Sequence, residues 1–398
     1  MRVGLVSAEF PPAVGGVGDH TARLASELVG RGHAVDVLTS QGTTVAAPDD
    51  RAGGARVLRL VRRWDWRIFG LVARLARAQQ WDVLHVQYQP GAYGLHPAIT
   101  LLPRWLGAIM RQRPVVVTTF HDLRVPYLFP KAGPLRRWVV RQLARSSDAI
   151  VAVADSDLPA LGAWTAGRRR SALLEHIPLG NHFDALPPAF DGGAWRAQLG
   201  LPSGTFLLGY TGFVNRSKRL DELVRALGLL RDAGQAVHLL FIGEAVGSSD
   251  PTNRAYLAEV RREIAALRLD ERVHWTGYQP PAAVAGWLRV VDLAVLPFAD
   301  GASLRRTSLI AAWSHGVPVL TTAPREAAPW LSGPTPVAAV AEATAGGLAR
   351  AIMELQACPQ RRRELAAAGL AFASRFAWPE VACRTAALYA AALGTRRR

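Results

Sequence analysis

Two stretches of this chain collect glycines, hydroxyls and cations in a pattern that could hold an oxyanion. In FPPAVGGVGDH, Gly15, Gly16 and Gly18 follow an apolar run from Val3 to Val6 and precede a helical segment with Leu24 and Leu28 on one face. A glycine loop opening a helix leaves backbone N–H groups to meet a phosphate or another anion. Its spacing is not the GxGxxG of a dinucleotide fingerprint. In LPFADGASLRRTSL, Gly301, Ser303, Arg305, Arg306, Thr307 and Ser308 gather where another helix begins. Hydroxyls, guanidiniums and N–H groups there would make a phosphate cradle, although Arg305 and Arg306 also read as surface arginines. Lys218 is one of only two lysines among 47 basic residues, the other being Lys131. It sits at a helix start, where positive charge opposes the helix dipole. His121 ends an apolar run in TTFHDL, and Gln87 and Tyr88 lie in HVQYQPGAYG. Asp155-Ser156-Asp157 has the look of a short metal motif, but helix capping accounts for it. HExxH, GxSxG and GK[ST] motifs are absent, which removes the metalloprotease, serine hydrolase and P-loop readings.

These residues need elements to position them. Apolar runs at 3–7, 35–39, 83–87, 115–120, 150–153 and 173–177 alternate with helical segments, and so do runs at 206–211, 237–243, 273–277, 293–296, 317–322 and 336–340. Strands alternating with helices in both halves predict an α/β chain of two Rossmann-like parallel-sheet domains. The domains are expected at 1–183 and 184–372, facing across a cleft, with residues 373–398 as a C-terminal helix. IPLGNHFD and the Pro- and Gly-rich stretch to Gly193 suit a hinge. Ligands are expected at the carboxyl ends of the strands.

In order along the chain, the GGVG loop, FHDL, IPLG, GFVNRSK, GVPVLTT and the terminal RFAWPEVACRTAALYA resemble the family 4 retaining glycosyltransferases of the GT-B fold. The resemblance covers nearly the whole chain and implies transfer of a sugar from a nucleotide-diphosphate sugar to a hydroxyl acceptor. It implies no cofactor and no bound metal, so cations and helix N-termini must neutralise the leaving diphosphate. It places Lys218 against that diphosphate, with Arg305, Arg306, Thr307 and the helix start after Ser303. Gly15 and Gly16 would let the N-terminal backbone approach the same group. His121 would face the sugar, Gln87 and Tyr88 the acceptor side, and His20 could reach the ligand from the first helix turn. The terminal helix would pack back onto the N-terminal domain. The chain departs from the family at three places. Arg219 follows Lys218 where glycine is usual. The expected arginine partner is missing upstream, leaving Arg216 as a substitute or a surface residue. The paired glutamates, eight positions apart, fall on Ser303 and Ala311. Ala311 cannot bond a ribose, so nucleoside recognition has moved or catalysis is lost. The missing glutamates motivate one alternative, a non-catalytic nucleotide-sugar or lipid-binding protein; a second, a nucleotide-sugar 2-epimerase, shares the architecture but also needs carboxylates near the sugar.

Half of the residues are hydrophobic and a fifth charged, a globular composition. The formal charge of +16 is concentrated: residues 51–145 hold 17 basic residues against Asp65, Asp82 and Asp122. There RLVRRWDWR and PLRRWVVRQLAR interleave arginine with Trp64, Trp66 and Trp138, which suits an anionic membrane surface or solvated helix faces. Nucleic-acid motifs are lacking, and nucleic acid is not an expected partner. No apolar run has transmembrane length and no leader is evident, so the expected location is cytoplasmic, with peripheral attachment to the inner face of a membrane. Cys358 and Cys383, the only cysteines, are expected as small core residues.

Overall fold

The computed structural model describes the chain except residues 14, 43–49, 124–132, 168–171, 182–185, 188–189, 244–250, 326–327, 334 and 398, and except the side chains of 133–136, 251–252, 329 and 397. It divides into two compact units, Met1–Gly180 with Trp378–Arg398, and Asn181–Ala377. The changes of unit thus fall at 180/181 and 377/378; the expected boundary at 183/184 lies outside the described residues, as does much of the expected hinge.

The first unit is built on an eight-stranded sheet: β1 (Arg2–Val6), β2 (Ala34–Ser40), β3 (Arg51–Ala52), β4 (Ala55–Val61), β5 (Val83–Tyr88), β6 (Val115–Phe120), β7 (Ala149–Ala152) and β8 (Leu173–His176). Its order is β3-β4-β2-β1-β5-β6-β7-β8, parallel except for the β3–β4 pair. The inner strands β5 and β6 are buried throughout because helices cover both faces, as continuous Val-rich runs require. Helix Gly16–Gly30 and the terminal helix Trp378–Arg397 cover one face, where Val381, Leu388 and Tyr389 join Val3, Leu5 and Leu24 in a core. A Cβ on Gly180 would lie 2.4 Å from the Trp378 ring, so this glycine admits the tryptophan. Helices Ile68–Ala78, Ala98–Ile109 and Gly133–Ser146 cover the other face. The β3–β4 hairpin lies in a stretch that the sequence presents as basic surface. Two of its arginines are internally paired, Arg56 with Asp36 at 2.8 Å and Arg59 with Asp50 at 2.6 Å.

The second unit has a six-stranded, wholly parallel sheet: β9 (Phe206–Thr211), β10 (Val237–Ile242), β11 (Val273–Trp275), β12 (Leu293–Leu296), β13 (Val319–Thr322) and β14 (Ala339–Ala341), in the order β11-β10-β9-β12-β13-β14. Strand order reverses between β1 and β5 in the first sheet and between β9 and β12 in the second. In such sheets the carboxyl ends of the strands at the point of reversal are the favoured ligand position. The Gly15 loop follows β1 and the Lys218 loop follows β9, while residues 297–306 follow β12. Both cysteines are exposed, which corrects their expected place in the core. Among the described residues, no helix is long and apolar enough to cross a membrane.

Candidate active site

In the second unit the loops after β9 and β12 are tied together by a hydrogen bond from Ala299 N to Ser217 O, 2.9 Å long. This brings Lys218 and Arg306 to one aromatic ring. Lys218 Nζ lies 4.6 Å and Arg306 Cζ 4.7 Å from the centroid of Phe298, itself 1 % exposed. Arg306 bonds both carboxylate oxygens of Asp300. The Lys218 pKa is lowered to about 8, chiefly by burial and then by the Arg306 charge, with Asp300 partly offsetting both. Two cations against one buried ring face mutual repulsion that a bound dianion would relieve. The chain reaches this geometry through Gly301, at φ +81°, where a Cβ would lie 2.3 Å from Ala323 O. Helix Thr307–Ser314 then begins with no side chain bonded at its cap.

The other residues expected here are placed unequally. Arg305 and Thr307 are exposed at the helix start, and Ser303 is half-buried, its carbonyl accepting from Arg306 N at 3.0 Å. Arg216 is not part of the group: it bonds both oxygens of Glu259 at 2.7 Å and lies over Tyr256. Arg219 adopts the left-handed conformation, φ 49° and ψ 40°, which explains the glycine usual in the family. Its Nε is buried without a hydrogen-bond partner among the described residues. Ala311 is wholly buried on a helix whose residues 308–313 are all buried. Phe298 and Asp300 were missed in the sequence, though FAD directly after an apolar strand was a signal.

In the first unit, His121 Nε2 lies 2.8 Å from Gln87 Oε1, and its backbone N–H donates to Tyr88 O at 3.0 Å. The His20 ring stands edge-on to His121 at 5.0 Å and lies 5.1 Å from Trp378. His20 is 4 % exposed, so it is an internal rather than a surface residue. Gln87 and Tyr88, expected on the acceptor side, are 0 % exposed. Gln87 stands behind His121, and Tyr88 packs against Tyr93 and Phe120 in the core, so neither offers a ligand surface. The space at Gly15 is also taken: a Cβ there would lie 2.2 Å from Glu9 Oε2. Burial, and then Asp19, raise the Glu9 pKa. Gly16 faces open space, leaving it the accessible glycine of the loop. Asp155 accepts from Ser156 N at 2.9 Å within a short 3-10 turn, and no side chain caps the helix that follows.

Two parallel-sheet α/β units with a cationic group at a switch point suit a phosphate-bearing ligand, and sequence comparison supplies the class of protein. Residues 15–175 match the glycosyl transferase 4-like domain and residues 205–357 the glycosyl transferases group 1 domain. The chain belongs to this glycosyltransferase family. It is 30% identical over 270 residues to the D-inositol 3-phosphate glycosyltransferase of Segniliparus rotundus, a match covering 65% of this chain and 56% of that protein. The corresponding Nocardia farcinica enzyme is 28% identical over 77% of this chain and 69% of its own length. The fold matches sucrose-phosphate synthase from Thermosynechococcus elongatus (TM-score 0.74, 21% identity, 99% of this chain and 100% of that one). It also matches Anabaena HepE in complex with UDP and glucose (TM-score 0.71, 17% identity, 98% and 100%). These two likenesses establish the GT-B fold.

Proposed function

We propose that the protein transfers a sugar from a nucleotide-diphosphate sugar to a hydroxyl acceptor, retaining the anomeric configuration and using no bound metal. The observation that carries this reading is the Lys218–Arg306 pair over Phe298 at the β9/β12 switch point. As the glycosidic bond to the diphosphate lengthens, negative charge grows on the leaving oxygen. Lys218, Arg306 and the uncapped start of helix Thr307–Ser314 supply charge without reorganisation. Phe298 and Asp300 hold both cations in place beforehand. The leaving phosphate then takes the acceptor proton on the same face of the sugar, and the family resemblance assigns the sugar contact to His121. HepE, as crystallised with UDP and glucose, supports a nucleotide-linked donor. Ser303 and Ala311 leave ribose recognition to backbone or other side chains. Thermal-shift titration with UDP, GDP, ADP, dTDP and CMP tests the reading. One diphosphate should raise the melting temperature of the wild type and not of Lys218→Ala; no response to any would contradict donor binding.

A second reading concerns the acceptor's setting, a cytoplasmic membrane face bearing a lipid-linked or cell-envelope glycan acceptor. Trp66, Ile109 and Trp138 are 50%, 43% and 43% exposed around three helices that cover one face of the first sheet. Exposed Arg62, Arg63, Arg104, Arg111, Arg137 and Arg141 accompany them. Aromatic rings amid arginine match the headgroup layer of an anionic bilayer. Sedimentation with anionic but not neutral liposomes at moderate salt should carry the protein down; equal partition would end this reading.

A further inference from the structure

A buried line of side chains runs through the first unit from the terminal helix to His121. Tyr389 Oη lies 2.6 Å from His85 Nδ1, and Thr119 Oγ1 lies 2.7 Å from His85 Nε2. Gln87 Nε2 approaches His85 Nε2 at 3.3 Å, and Gln87 Oε1 is 2.8 Å from His121 Nε2. Period-two alternation puts His85 and Gln87 on one face of β5, and Gln87 pairs across the sheet with Thr119 of β6. Tyr389, His85 and Gln87 are all 0 % exposed.

Burial, reinforced by His121, lowers the His85 pKa to about 3, so its imidazole is neutral. A neutral ring has one N–H and one lone pair, and here its two nitrogens face the hydroxyls of Tyr389 and Thr119. The Gln87 amide turns its nitrogen towards this ring and its oxygen towards His121. A carbonyl oxygen can only accept, so His121 must present a proton on Nε2.

We propose that Gln87 is a positioning residue, braced by His85 and Tyr389, that holds His121 as its Nε2–H tautomer. Nδ1 is then the acceptor nitrogen of the ring, unable to donate while the ring is neutral. The functional weight of this rests on the proposed contact between His121 and the sugar; the tautomer itself does not. The groups facing His121 include the His20 ring and, behind Gln87, His85; Asp122 follows it in the chain.

The test is NMR of the full chain labelled with 15N-histidine, with Gln87→Glu, Gln87→Leu and Tyr389→Phe beside the wild type. Wild-type His121 should show a slowly exchanging Nε2–H and an unprotonated Nδ1. Gln87→Glu keeps the acceptor and adds charge, so the Nε2–H should persist and the His121 pKa should rise by about one unit or more. Gln87→Leu should abolish the protected proton, and Tyr389→Phe should speed its exchange about tenfold, a 1.4 kcal/mol loosening at that site. A wild-type His121 protonated on Nδ1 overturns the proposal, and that measurement stands even where a variant fails to fold. So does an Nε2 proton unchanged in Gln87→Leu. Transfer activity measured in His121→Ala separates the two ideas: the predicted tautomer with undiminished transfer supports the bracing and refutes the catalytic reading of His121.

Discussion

Nucleotide-sugar affinity should fall as pH rises from 7 to 9, because the proton on Lys218 is lost within that window. With a pKa of about 8 in the free protein, Lys218 is about nine-tenths protonated at pH 7 and about one-tenth at pH 9. If only the ammonium form binds the diphosphate, apparent affinity drops about tenfold, or ~1.4 kcal/mol, over those two units. Arg306 stays charged throughout and contributes no slope. A nucleotide-diphosphate sugar, whose phosphates are already ionised at pH 7, confines the titration to the protein. The assay is calorimetric titration at pH 7, 8 and 9 at constant ionic strength, since screening alone changes such affinities. Lys218→Arg should bind with its own affinity but no pH dependence. A flat wild-type profile, or the same drop in Lys218→Arg, would refute the assignment of Lys218 to the diphosphate.

Other consequences concern the cost of building this site. The Lys218 pKa is lowered from 10.5 in the folded chain, so the unfolded chain binds more protons between about pH 8 and 10.5. Lys218 therefore opposes folding at pH 7, and the penalty fades as pH climbs through that window. Lys218→Met should raise the melting temperature at pH 7 while losing diphosphate binding, with the gain shrinking towards pH 10.5. Gly301→Ala should destabilise the second unit by more than about 1 kcal/mol in chemical denaturation, since the residue has positive φ and its Cβ meets the Ala323 carbonyl. Trp378→Ala, which empties the contact with Gly180 and opens the core around Leu5 and Tyr389, should cost about 3–5 kcal/mol by the same measurement.

The architecture was legible because buried parallel strands are written as apolar runs. Runs at 206–211 and 293–296 coincide with β9 and β12; that these two strands are neighbours, and so form the switch point, came only with the structure. The β3–β4 hairpin was hidden because its apolar run is broken by Arg56 and Arg59, whose partners Asp36 and Asp50 lie outside β4. At the site, residue type marked Lys218 and Arg306 as cations but could not show that they share the Phe298 ring. That sharing depends on the Ala299–Ser217 hydrogen bond between loops about 80 residues apart. Gln87 and Tyr88 looked like ligand contacts because they end a strand. Burial of a side chain at a strand end is decided by what packs over it, and neither His121 over Gln87 nor Tyr93 over Tyr88 is encoded in local pattern.

The central claim is that a chain with Ser303 and Ala311 in place of paired glutamates still cleaves a nucleotide-diphosphate sugar at the Lys218–Arg306 group. The most direct measurement is release of nucleoside diphosphate from a panel of nucleotide sugars, with and without a polyol or lipid-linked acceptor, by wild type and by Lys218→Ala and Arg306→Ala. The account predicts acceptor-stimulated release from one donor by the wild type, reduced about a hundredfold or more in each variant, the scale of losing one preorganised charge contact. Diphosphate binding without release from any donor, or release that survives both substitutions, would contradict it.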